Sequence, residues 1–400
     1  MVFLSLLLAL VILGCGSRPT EAPIAVETQP TQAPRERWAD FYGGPVADVT
    51  LSSLEEKIWE GATQGKRHSC VLDPRLTLVA REHAAALAAS SRAPRDDDLD
   101  RLRFTLMRLG GTDYALQPLF TVIESSDFED LYVLIEKSGA NSSHCGVGVG
   151  GSGQRQSVVW LGVDRKVTLN RLPTQVPSGT TISLSGQLLT HTREKIQLFV
   201  GLPDGRVKRL RPTQPSLDGR FQVATQLKQA GRYEVELLIN RGRGPETAVL
   251  LPVFVGVSRD PRPLVAPDLS VTNDERSPEE KLFTFLNAAR RRLGLSPLKR
   301  DKRLDAVARA HSKDMAAGGF FGHLSPVQGT LQERLDSSGL SPVRSAENLA
   351  RSPSVYRMHR NLMGSPSHRI NTLDPGFTHV GVGVVQDGNS LIATEIFACF

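Results

Sequence analysis

Hydrophobic positions along this chain change their spacing several times, and each change marks a region. Met1 to Leu13 is almost wholly apolar and ends at Gly14-Cys15-Gly16. Crossing a bilayer takes about 20 residues, so the run is too short to span one and has the length of a signal-peptide core. Ser17 to Arg35, rich in Pro, Thr, Gln and Glu, buries too little apolar surface to fold and reads as a tether over 16–35. From Val167 to Val257 short alternating runs, such as Lys195-Ile-Gln-Leu-Phe-Val and Tyr233-Glu-Val-Glu-Leu-Leu-Ile, are broken by turn signals including Asp204-Gly205 and Asp218-Gly219. About seven strands of this kind predict an antiparallel β-sandwich of immunoglobulin-like type over 167–257. Residues 258–276, with Pro261, Pro263 and Pro267, predict an interdomain linker.

Beyond the linker the spacing becomes helical. Ser277-Pro278-Glu279-Glu280 has the residues of a capping box with Pro at the first turn, and Leu282, Leu286, Ala289 and Leu293 follow before the stop at Gly294. A second helix carries Leu304, Val307, Ala308, His311 and Met315 on one face. A third starts at Thr330-Leu-Gln-Glu333, and Val355, Met358 and Leu362 mark a fourth. Strands are expected at Thr378–Val385 and Leu391–Phe397. Helices first and strands last predict an α+β layer fold over 277–400.

Two blocks of sequence recur in the same order. Asp73-Pro-Arg-Leu-Thr-Leu-Val-Ala-Arg-Glu-His83 parallels Asp301-Lys-Arg-Leu-Asp-Ala-Val-Ala-Arg-Ala-His311, and His144-Cys-Gly-Val-Gly-Val149 parallels His379-Val-Gly-Val-Gly-Val384. The chain therefore reads as two copies of one fold, over 36–166 and 277–400, flanking the sandwich.

Composition adds modest constraints. The 400 residues allow two to four domains, taking about 150 residues for each. A net charge of +6 is mildly basic and could favour anionic lipid or a wall polymer. No nucleic-acid motif accompanies it, so it reads as solvated surface charge and no nucleic-acid partner is expected. Four cysteines are too few for a disulfide scaffold.

Val11-Ile-Leu-Gly-Cys15 resembles a bacterial lipobox, although no Lys or Arg precedes the apolar core. The resemblance implies a lipoprotein signal over 1–15 and lipidation of Cys15. Gly16 after the cysteine resembles the outer-membrane sorting pattern of a Gram-negative host. The expected location is thus the cell envelope, anchored to the membrane through lipid, or the extracellular space.

The order Asn287-Ala-Ala-Arg-Arg-Arg-Leu-Gly-Leu, Ala310-His311-Ser-Lys-Asp-Met315, Gly322-His323-Leu-Ser, Ala346-Glu347-Asn348-Leu349-Ala350, Ser365-Pro-Ser-His368-Arg369 and Gly381-Val-Gly-Val384 resembles the CAP (SCP-like) superfamily, in its bacterial YkwD-like branch. The resemblance implies a three-layer α-β-α sandwich with a central cleft lined by two histidines and two glutamates able to hold a divalent cation. His323, Glu347 and His368 match three of those positions; the fourth falls at or near Ser365, and Glu395 on the last strand is a candidate replacement carboxylate. In the same layout Cys70 and Cys145 lie at the edges of the two repeated blocks, which implies a disulfide between them and leaves Cys399 unpaired. The first copy keeps the helix and strand signals but has no His-Leu-Ser segment or Glu-Asn pair, and reads as a degenerate CAP-like domain with a structural or partner-binding role.

Two neutral imidazoles and a carboxylate make a reasonable zinc set with one position open to water. The same groups could instead satisfy one another as a buried hydrogen-bond network. Three functions stay open on this reading. The first is a binding module taking a small molecule, lipid or wall fragment. The second is a metal-assisted hydrolase or peptidase with His323 and His368 as ligands and Glu347 as ligand or general base. The third is a structural or adhesive surface protein. Enzyme activity is not the favoured reading, because no nucleophile announces itself and Gly-x-Ser-x-Gly is absent. His311, on an apolar helix face, reads as a core histidine; Asn348 reads as fixing a local turn.

Overall fold

The structure, a computed structural model, describes residues 38–63, 69–90, 95, 97–124, 128–139, 142–151, 155–189, 195–212, 216, 218–240, 244–259 and 275–400. The signal segment with Cys15, the tether and most of the linker lie outside the described residues.

The N-terminal part runs β1 (Phe41–Tyr42), α1 (Ser53–Thr63), β2 (Val71–Leu72), α2 (Pro74–Ser90), α3 (Asp98–Arg108), β3 (Leu116–Glu124), α4 (Glu129–Gly139), β4 (His144–Gly150) and β5 (Arg155–Val163). Its sheet has the order β2-β4-β5-β3, with β2 parallel to β4 and the other pairs antiparallel. Ile58 and Ala62 of α1 and Leu131 and Ile135 of α4 pack on one face; Leu76, Ala80 and Ala84 of α2 and Leu102 and Leu106 of α3 pack on the other. Cys70 and Cys145 are joined by a disulfide, with Cα atoms 5.8 Å apart.

The middle part contains β6 (Val167–Leu169), β7 (Leu172–Pro173), β8 (Gln175–Val176), β9 (Thr181–Leu188), β10 (Ile196–Gly201), β11 (Val207–Leu210), β12 (Arg220–Gln226), β13 (Gly231–Asn240) and β14 (Pro245–Val255). Sheets β11-β10-β13-β14-β8 and β12-β9-β6 share one hydrophobic core that includes Ile182, Leu184, Leu198, Val200, Phe221, Val235, Leu237, Leu251 and Val253. Trp38 and Tyr42, expected in the N-terminal domain, belong to this core instead: β1 pairs with β7, and the Tyr42 hydroxyl donates to the Pro252 carbonyl at 2.8 Å.

The C-terminal part comprises α5 (Pro278–Arg292), β15 (Lys299–Arg300), α6 (Lys302–Gly318), α7 (Leu331–Ser337), β16 (Arg344–Ser352), α8 (Val355–Gly364), α9 (Pro366–Thr372), β17 (His379–Asp387) and β18 (Ser390–Cys399). The Ser277–Glu280 and Thr330–Glu333 capping boxes form, Asp301 caps α6 by accepting from the Arg303 and Leu304 amides, and Gly319 ends it in the left-handed region at φ 61°. The sheet order is β15-β17-β18-β16. Leu282 and Leu286 of α5 and Met358 and Leu362 of α8 cover one face, while Leu304, Val307 and Ala308 of α6 and Leu335 of α7 cover the other. This is a three-layer α-β-α arrangement within a mixed α+β chain.

The outer two parts share element order, sheet order and strand orientations; α9 has no counterpart among the described residues. The repeated Gly-Val-Gly block has a physical reason. In the central strand alternate positions face opposite sides, so Val380, Val382 and Val384 enter the α5/α8 core while Gly381 and Gly383 meet α6. A Cβ on Gly383 would sit 2.1 Å from the Arg309 amide nitrogen, and one on Gly148 would sit 2.2 Å from the Arg81 amide nitrogen. The bare glycine surface is what lets the helix backbone lie directly on the strand.

Candidate functional site

His323 lies in the connection between α6 and α7, a segment held from several sides. The fully buried His311 ring donates from Nε2 to the Gly322 carbonyl at 3.1 Å. Ser325 Oγ donates to Asp314 and accepts from the Val327 and Gln328 amides, so this hydroxyl is committed to the turn. Arg334, on α7, donates from Nη1 to the carbonyls of His323 (3.0 Å) and Gly329 (2.9 Å). Phe321, Leu324 and Val327 of the same connection are left exposed.

Glu347 lies on β16 opposite Ile396 of β18, on the sheet face covered by α6 and α7. Each of its oxygens accepts a hydrogen bond. Oε1 accepts from His323 Nδ1 at 2.9 Å, and Oε2 accepts from Arg334 Nη2 at 2.5 Å. Burial alone would push this carboxyl up; the bond from His323 and the charge of Arg334 outweigh it and hold Glu347 below the usual carboxylate range. An ionised carboxylate only accepts, so His323 carries a proton on Nδ1 and turns Nε2 away from this pair.

His368 lies on the short helix α9. Its Nδ1 is 2.7 Å from Ser365 Oγ, and Ser365 in turn donates to Glu236 Oε1 at 2.7 Å. Burial lowers the His368 pKa to about 4, and the nearby His323 ring adds to the effect. The imidazole is therefore neutral at pH 7, and the two histidines are close enough to influence each other. Among the described residues neither Nε2 has a hydrogen-bond partner.

Glu395 does not join this cluster. It pairs with Asn348 across β16 and β18, one residue along from Glu347, and so lies on the opposite face of the sheet. Its carboxyl is buried, accepts from Asn348 Nδ2 at 3.1 Å, and is pushed by burial up to about 7. As a replacement carboxylate facing His323 and Glu347 it is ruled out by strand alternation. Asn348 also departs from expectation. Rather than fixing a local turn, it ties β16 to α9 by donating toward the His368 carbonyl (3.2 Å) and Thr372 (3.3 Å) and accepting from Asn371 (2.9 Å).

These contacts bear on a metal ion. A catalytic zinc site typically takes three protein ligands; the cluster holds the two imidazole Nε2 atoms and the Glu347 carboxylate, whose oxygens each already accept one hydrogen bond, while Glu395 lies on the other face. Among the described residues no three His, Cys, Asp or Glu side chains are grouped to hold a metal. Two members of the site were not anticipated from sequence: Arg334, whose burial no local pattern signals, and Glu236, which comes from the middle part.

The sequence model of the cysteine-rich secretory protein family, CAP, matches residues 283–399. The uncharacterized protein YkwD of Bacillus subtilis (strain 168) is 38% identical over 112 residues, which are 28% of this chain and 44% of that protein. The uncharacterized membrane protein YlbC of the same organism is 31% identical over 110 residues, 26% of this chain and 31% of that protein. The match thus spans less than half of either relative. A solved structure described as an extracellular protein containing a SCP domain, from Bacillus anthracis, aligns over 70% of this chain and 94% of its own at 19% identity and a TM-score of 0.30. Residues 283–399, on which the family model and the α-β-α layers agree, form a CAP domain within this chain.

Proposed function

We propose that the chain is an exported, envelope-associated binding protein whose CAP cleft takes a small ligand by hydrogen bonds to His323 and His368. The observation that carries this reading is the pairing of both Nδ1 atoms, with Glu347 and with Ser365, while both Nε2 atoms are free of partners among the described residues. Two imidazole Nε2 atoms, with the exposed Phe321, Leu324 and Val327 in the connection that carries His323, suit a ligand with polar groups and an apolar body, such as a lipid or a wall fragment. The hydrolase reading is less well supported, since His323 and Arg334 hold Glu347 below the usual carboxylate range, which makes it a weak general base.

The remaining assignments belong to the same proposal. Export is supported by the Cys70–Cys145 disulfide, which needs an oxidising compartment, and by the lipobox-like sequence at Cys15. The matched element order supports a degenerate CAP-like copy at the N-terminus, and the two sheets around one core support an immunoglobulin-like middle part. Isothermal titration of the exported chain against muropeptides, envelope-lipid vesicles and zinc tests the reading. Saturable binding of a muropeptide or lipid that is lost in His323→Ala and His368→Ala is expected. Binding of zinc alone, or organic binding indifferent to both substitutions, would overturn it.

A further inference from the structure

The outer face of the five-stranded sheet in the middle part is not free. Val235 and Leu237 of β13 enter the core, so Glu234 and Glu236 point the other way, where α9 covers them. Arg369 of α9 donates to Glu234 at 3.1 Å, and a Cβ on Gly201 of β10 would fall 2.0 Å from the Arg369 guanidinium. Gly244, just before β14, lies against the other histidine: a Cβ there would sit 3.0 Å from His323 Cβ and Cδ2. The middle part thus touches both cleft histidines or their immediate supports.

Glu236 is fully buried in this junction. Its Oε2 accepts from the Ser367 amide at 2.6 Å; its Oε1 accepts from Thr247 Oγ1 at 3.1 Å and from Ser365 Oγ at 2.7 Å. Ser365 has one proton and two lone pairs. With the proton given to Glu236, the oxygen can only accept from His368, 2.7 Å away, and from the Ser367 hydroxyl at 3.1 Å. His368 must then carry its own proton on Nδ1.

We infer that Glu236 is a positioning residue of the CAP cleft, supplied by a different part of the chain, which through Ser365 fixes the tautomer of His368 and leaves its Nε2 bare to accept a hydrogen bond from ligand. The inference rests on the cleft reading above and deepens it: the middle part is a wall of the site rather than a spacer. The carboxylate behind the histidine comes from a position 129 residues before Ser365. Both cleft histidines are then held alike, His323 directly by Glu347 and His368 by Glu236 through a hydroxyl.

The chemistry makes a specific prediction for Glu236→Gln. The Ser367 amide requires an oxygen at the Oε2 position, so the new NH2 group faces Ser365. Ser365 then accepts from the amide and donates to His368 Nδ1, reversing the chain and moving the imidazole proton to Nε2. Nitrogen–proton correlation spectra of the His ring in the ligand-free exported chain read this directly, with the His368 signals assigned by their loss in His368→Gln. Wild type should show the Nδ1–H form. Glu236→Gln should exchange the shifts of the protonated and bare His368 nitrogens, while His323 stays Nδ1–H. Ser365→Ala, which keeps the junction carboxylate and removes only the bridge, should leave His368 a mixture of tautomers and serves if Glu236→Gln does not fold. An Nε2–H form in wild type, or an Nδ1–H form retained in the folded variants, would overturn the inference. No ligand is present, so a failure to bind muropeptide or lipid bears on the proposed function alone.

Discussion

Arg334 Nη2 lies 2.5 Å from Glu347 Oε2, and both side chains are almost wholly excluded from water. Removing one partner of a buried ion pair leaves the other charge uncompensated, which typically costs about 3–5 kcal/mol. Arg334→Met should therefore destabilise the C-terminal domain by roughly that amount, measured by urea unfolding at pH 7. Adding Glu347→Gln to it should recover a large part of the loss. A single-variant cost below about 1 kcal/mol would mean that the pair is solvated like a surface bridge.

Glu395 gives a pH dependence of known sign. Burial raises its pKa from 4.5 to about 7, so the folded protein holds this proton more tightly than the unfolded chain. Its contribution is most favourable below the unfolded value and is lost as pH rises through the folded one. Two to three pH units correspond to about 3 kcal/mol at full ionisation. Glu395→Gln keeps an acceptor for Asn348 but cannot ionise. It should be more stable than wild type at pH 8 by up to that amount and nearly equal to it at pH 4, in matched urea titrations.

Gly383→Ala tests the contact between α6 and the central strand. The new Cβ would meet helix backbone at 2.1 Å, which no rotamer change relieves. The cost should lie at or above the 1–3 kcal/mol usual for overpacking. Gly364→Ala is the control: nothing lies within 4 Å of its Cβ, and a change within about 0.5 kcal/mol is expected. Equal effects at the two sites, by thermal or urea unfolding, would contradict the close approach.

The Cys70–Cys145 disulfide spans 75 residues of the N-terminal part. Cross-links of this span stabilise by about 2–5 kcal/mol, largely through the unfolded chain. Trp59 and Trp160 stack 5.4 Å apart within the same part, and Trp38, the third tryptophan, lies in the middle core. Reduction should accordingly lower the urea midpoint followed by tryptophan fluorescence. Cys70→Ser should reproduce that shift and abolish any further effect of reductant.

Much of the C-terminal domain is legible in sequence because it is locally specified. Ser277 with Glu280 and Thr330 with Glu333 satisfy helix-end amides within three residues, so the cap and the pattern it announces are read together. The alternation of Gly and Val in both central strands likewise carries its packing in its spacing. His323 and Glu347 were legible as partners only through their likeness to a family, since 24 residues separate them.

Sequence by itself determined the caps, the strand alternation, the two repeated blocks and the identities of the histidines. Tertiary structure alone decided that Glu347 and Glu395 face opposite sides of one sheet, and that Arg334 pairs with the first. It also decided that Glu236, a polar position on the side of β13 away from the core, is buried beneath α9. Periodicity tells which way a side chain points relative to its own strand. It carries no information about what the rest of the chain brings to cover it, and that covering sets the protonation chemistry of this cleft.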